Sequence, residues 1–115
     1  MKNQTPEILE RFYDFLLLLM QKTSRFPKSH RYLLGEKIEL LSFSILENFL
    51  EAIYSKDKLS VLLRINLQLE KLRYFLRLSK DLKILEMKSF ENLTHKLYEI
   101  GNQLGGWIKH VRSKP

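Results

Sequence analysis

Glu91, His95 and Glu99 stand four residues apart on a stretch with helical periodicity, so their side chains share one face. Two carboxylates and an imidazole at that spacing could hold a metal ion, and a metal-dependent enzyme built on them is the one catalytic reading that the chain offers. Helix-stabilising pairs on a solvated face explain the same three residues more simply. The chain has no cysteine, and its other histidines are His30 and His110. It has no Gly-rich phosphate loop, Ser-His-Asp order or zincin motif. No catalytic residue, metal or cofactor is therefore assigned, and a non-enzyme is expected.

Charge carries more information. Twenty Lys and Arg against thirteen Asp and Glu give a net charge of +7 and a pI of about 9.7. Such a balance bears on partners and not on fold. Nucleic acid leads, ahead of an acidic protein or an anionic membrane. The excess is uneven: Lys22 to Lys37 carries +4, Lys56 to Lys88 +5 and Lys96 to the end +3, whereas Ile38 to Glu51 is purely acidic at −3. Lys28, His30 and Arg31 fall at the expected start of a helix, where a cation is disfavoured by roughly 0.3–1 kcal/mol. Cations beside free N–H groups make an anion site, and Phe26 and Tyr32, interleaved with them, could stack on unpaired bases. Arg25, Lys28, His30 and Arg31, with Arg73, Arg77, Lys80 and Lys83, are the candidate nucleic-acid or polymerase contacts. A solvated face is the plainer reading of each.

The elements that must position these residues are all helical. Thr5-Pro6-Glu7 opens a first helix with a capping hydroxyl, a first-turn proline and an acid. Ile8, Phe12, Phe15 and Leu19 then mark its apolar stripe, and Phe26-Pro27 ends it after about Ser24. A second helix is expected from about Ser29 to Tyr54, with Leu34, Ile38, Leu41, Ile45 and Phe49 inward. A third runs from about Lys58 to Ile84, and a fourth from about Met87 to His110 through Phe90, Leu93, Leu97, Ile100, Leu104, Trp107 and Val111. Four long helices with short connections predict a single all-α domain over residues 1–115, an antiparallel up-down-up-down four-helix bundle. The run FLLLLM (Phe15 to Met20) is too short for a membrane span, which needs about 20 apolar residues. It is preceded by charges and followed by no cleavage site, so a soluble, cytoplasmic protein is expected.

Two features exceed what one bundle needs. On the third helix Val61, Ile65, Leu69, Leu72, Phe75 and Leu76 form one face, while Leu63, Leu67, Tyr74, Leu78 and Leu85 form a second. Arg73, Arg77 and Lys80 lie between the two. A surface helix needs one apolar stripe, so the second predicts contact with another copy and a homo-oligomer. The fourth helix carries Gly101, Gly105 and Gly106 beside Trp107, the only tryptophan. Three helical glycines cost roughly 3 kcal/mol against alanine. Close packing of a neighbouring element against these four residues is the expected return.

Three stretches together carry a resemblance: RFPKSHRYLLGEKIE (Arg25 to Glu39), LRYFLRLSKDLKIL (Leu72 to Leu85) and LYEIGNQLGGWIK (Leu97 to Lys109). They resemble the accessory variability determinant (Avd) of diversity-generating retroelements, a match covering most of the chain from Arg25 onward. A related family, encoded in intervening sequences of bacterial large-subunit ribosomal RNA genes, shares the bundle. The resemblance implies a basic, non-enzymatic ring or barrel, a homopentamer, that partners an error-prone reverse transcriptase and its template RNA or RNA–cDNA hybrid. The alternative from a different class is a stand-alone adaptor that binds an acidic protein and no nucleic acid.

Overall fold

A computed structural model describes residues 6–114. Helix α1 spans Glu7–Thr23, α2 Lys28–His30, α3 Glu36–Tyr54, α4 Lys58–Asp81 and α5 Met87–Arg112. A π-helical turn, Arg31–Gly35, joins α2 to α3. Among the described residues there is no strand. The helices run up-down-up-down; α1 packs on α3 and α5, and α4 packs on the same two from the other side. The bundle measures 49 × 22 × 19 Å.

The expected stripes form the core. Phe12 and Phe15 of α1 are fully buried, and the Phe12 ring centroid lies 5.6 Å from Phe15 and 5.5 Å from Phe49 of α3. Ile38 and Ile45, Leu62 to Leu76 at helical spacing, and Leu93, Leu97, Ile100 and Leu104 complete the same cluster. Two polar links set the register of neighbouring helices. The buried Thr23 hydroxyl donates to the Glu39 carboxylate at 2.5 Å, joining α1 to α3. Asn48 donates to Gln68 at 2.8 Å, and Gln68 in turn donates to Ser44 at 2.9 Å, joining α3 to α4.

The helix ends show where local chemistry acts. Pro6 takes the cap position of α1, with Glu7 and Glu10 in the first turn; Thr5, expected to cap this helix, lies outside the described residues. Asp57 caps α4, accepting from the Ser60 backbone N–H at 3.4 Å and from its hydroxyl at 2.9 Å. Helix α4 stops at Asp81, three residues before the expected end, because Lys83 adopts a left-handed backbone with φ 64°. Lys83 N–H bonds the Lys80 carbonyl at 2.9 Å and Ile84 N–H bonds the Ser79 carbonyl at 3.0 Å. This is the 6→1 and 5→2 pattern that usually has glycine at the Lys83 position. The turn aims Leu85 into the core, 5% exposed, so Leu85 is not part of the second apolar face to which its helical phase assigned it.

The expected continuous second helix is interrupted by the π turn. The inward stripe nevertheless continues through it: Leu34 and Gly35 are buried, while Leu33 is 80% exposed. Gly35 lies beside Phe26, whose ring would be 3.5 Å from a Cβ added there.

The α5 glycines differ from expectation. A Cβ built on Gly101, Gly105 or Gly106 meets no atom within 4 Å. The core stripe of α5 runs through Leu97, Ile100, Leu104 and Ile108, and a step of about 100° from Ile100 or Leu104 already leaves it. Trp107 is half-buried against the core, but among the described residues no other element comes within 4 Å of a Cβ at the three glycines.

Candidate functional site

Up-down-up-down topology brings the C-terminus of α1, α2 with the π turn, the C-terminus of α4 and the start of α5 to one end of the bundle. Two basic stretches about fifty residues apart in sequence meet there. An open groove of about 470 Å³ marks the junction, lined by His30, Leu33 and Lys37 from one stretch and by Phe75, Leu78 and Leu82 from the other.

On the first stretch Arg25, Lys28 and Arg31 are exposed and His30 is half-buried. None of Arg25, Lys28, Arg31 and Lys37 has a carboxylate oxygen within 4.0 Å among the described residues. The one contact of the Arg31 guanidinium with a neighbouring oxygen is a long bond to the Ser24 carbonyl, 3.5 Å. Its carbon also lies 5.8 Å from the centre of the Tyr32 ring, a cation over an exposed aromatic face. Two expectations change. Phe26 is 4% exposed and anchors the corner from beneath, so it offers no face to a base; Tyr32 alone does. The N–H groups of His30 and Arg31 both bond the Pro27 carbonyl, at 2.8 and 3.0 Å. These two groups are therefore not free to hold an anion.

The α4 stripe is built differently. Arg73 Nε lies 3.6 Å from Glu70, Arg77 Nε 3.8 Å from Asp81, and Lys80 Nζ 3.0 Å from Asp81. A shallow groove of about 240 Å³ runs along the stripe, bounded by Tyr74 and by Phe90 and Thr94 of α5. Lys80 sits 4.9 Å over the Phe90 ring with its side chain only 24% exposed. Full solvation was expected of all three; Arg77 alone is well exposed, while Arg73 is half-buried and Lys80 lies over the Phe90 ring of α5. Lys83 is exposed at the turn and has no carboxylate partner among the described residues.

Sequence reasoning placed Lys37 only in a charge count. It lines the groove with His30, Leu33 and Leu34 at ordinary helical spacing, so the signal for it was present in the same basic run. The Glu91–His95–Glu99 face makes helix and inter-helix pairs. His95 Nε2 lies 3.6 Å from Glu99, whose other oxygen is 3.7 Å from Arg11 of α1. Among the described residues no three His, Asp or Glu side chains are grouped to hold a metal ion. No described helix is long and apolar enough to cross a membrane.

The described residues thus form an all-α four-helix bundle with exposed cations at this end and apolar side chains left exposed on its outer faces. A family model described as bAvd-like matches residues 7–111, and the chain belongs to that family, whose members are accessory proteins of the diversity-generating retroelement kind. The match spans α1 through nearly all of α5. No curated protein matches the chain.

Proposed function

We propose that this protein is a non-catalytic scaffold that assembles as a homo-oligomer and holds the template RNA, or an RNA–cDNA hybrid, for a reverse transcriptase. One observation carries the reading: Arg25, Lys28, Arg31 and Lys37 have no carboxylate partner among the described residues and converge with Lys83 on one end of the bundle. Cations without carboxylate partners are the ones that neutralise phosphates, whereas each cation of the Arg73–Arg77–Lys80 stripe already faces a carboxylate. The stripe therefore suits a polymerase surface better than a phosphate chain. Exposed Tyr32 adds a stacking face beside the corner. Self-association is supported by the uncovered apolar residues of α4, and the five subunits are those that the Avd resemblance implies.

The test is RNA binding as a function of salt. Affinity falls with salt by a slope of about 0.7 per phosphate neutralised on a single strand. Converting Arg25, Lys28 and Arg31 together to Gln should reduce the slope by about 2 and weaken binding at low salt. An unchanged slope would remove this corner from the interface. Absence of any salt-dependent RNA binding by the parent protein would favour the adaptor, for which the groove rimmed by His30 and Lys37 offers an acidic helix a place.

A further inference from the structure

Two outer faces of the bundle carry apolar seams of matching length and opposite charge. On α3, Leu40, Phe43, Leu50 and Tyr54 are exposed, and Glu47 completes their alternating three- and four-residue spacing. On α4, Leu63, Leu67, Tyr74 and Leu78 are exposed, and Lys71 lies in the middle of the row. At 1.5 Å per residue the seams are about 21 and 23 Å long, so their centres, Glu47 and Lys71, coincide whichever way the helices run. Neither Glu47 nor Lys71 has an oppositely charged partner within 4.0 Å among the described residues. Helix α3 carries four acids against one Lys, and α4 carries six Lys and Arg against two acids.

Each seam points away from its own helix's core stripe, Ile38–Ile45–Phe49 on α3 and Ile65–Leu69–Leu72–Leu76 on α4. The two helices are neighbours, so their outer faces diverge and one chain cannot bring its own seams together. The α4 seam also lines an open groove of about 480 Å³ between Leu67 and Leu78, with Lys71, Tyr74 and Phe75 in its walls.

We infer that the α3 seam of one copy docks on the α4 seam of the next, with Glu47 meeting Lys71 of the adjoining copy. Docking two different faces of one chain is a heterologous contact, which continues head to tail until a ring closes. The inference rests on the reading that copies associate, and adds which surfaces do so.

The experiment uses two exposed positions, Leu40 and Leu67, each 57% exposed. Leu40→Lys places a cation opposite the basic α4 seam, and Leu67→Glu an acid opposite the acidic α3 seam. Each variant retains one intact seam. By light scattering, each alone should be a 13.8 kDa monomer of unchanged helicity. Their equimolar mixture should be a 1:1 dimer of twice that mass. Separately, Glu47→Lys or Lys71→Glu should weaken the parent assembly at least about tenfold, and the two changes in one chain should restore it. A monomeric parent protein overturns association itself. An assembled parent whose Leu40→Lys and Leu67→Glu variants also stay assembled leaves association standing and overturns these seams. Dissociation of only one variant, or two monomeric variants that do not pair on mixing, overturns the head-to-tail arrangement.

Discussion

Replacing Gly101, Gly105 and Gly106 together by alanine decides what the glycines of α5 are for. All three lie inside a 26-residue helix, and an added Cβ at each meets no atom within 4 Å. Among the described residues nothing opposes the change, so the gain is the difference in helix propensity, about 1 kcal/mol per position and up to about 3 kcal/mol together. For a domain of this size about 1 kcal/mol moves the melting temperature by about 4 °C, so a rise of roughly 10 °C is expected. Thermal unfolding followed by circular dichroism measures it, with light scattering on the same samples. Overpacking in a filled contact typically costs 1–3 kcal/mol, enough to cancel or reverse the gain. A lower melting temperature with the mass unchanged would refute the reasoning, because it requires a close neighbour inside the protomer. A smaller mass accompanied by a more stable protomer would show that the neighbour is another copy.

Two further outcomes follow from the helix ends. Lys83→Gly should raise stability by about 1 kcal/mol in urea unfolding, because φ 64° costs a side-chain-bearing residue roughly that much; an unchanged midpoint would show that the Lys83 side chain compensates through contacts elsewhere. Asp57→Ala should lower stability by about 1 kcal/mol, since it removes the acceptor for both the backbone and the hydroxyl of Ser60; full retention of stability would mean that water caps α4 equally well.

The four long helices were legible in the sequence because their apolar positions repeat at helical spacing and their breaks fall at Phe26-Pro27 and Ser55-Lys56-Asp57. Much of the core followed from the stripes: Phe12, Phe15, Ile38, Ile45, Leu69, Leu72, Leu97 and Leu104 are buried as their periodicity requires, while Leu41, Phe75, Phe90, Trp107 and Val111 of the same stripes are only partly buried. The uncovered second face of α4 was also visible, because a helical wheel needs only residue order. Basic character was plain from composition alone.

Tertiary structure decided what periodicity has no means to express. The left-handed Lys83 rotates the chain by an amount that local pattern does not encode and buries Leu85; the π turn at Arg31–Gly35 interrupts the expected second helix while leaving Leu34 inward, as its spacing from Ile38 requires. Charge counts do not separate a paired cation from an unpaired one. Arg73, Arg77 and Lys80 looked equivalent to Arg25, Lys28 and Arg31 until distances showed carboxylates beside the first three and, among the described residues, none beside the others. The surroundings of the α5 glycines were illegible for a related reason. Sequence shows that side chains are missing, but whether anything occupies the space depends on where the other helices lie, and α1 and α4 pack against the Leu97–Ile100–Leu104 side of α5. Order along the chain determines which face of a helix is apolar; only the packing of helices determines which faces are already covered.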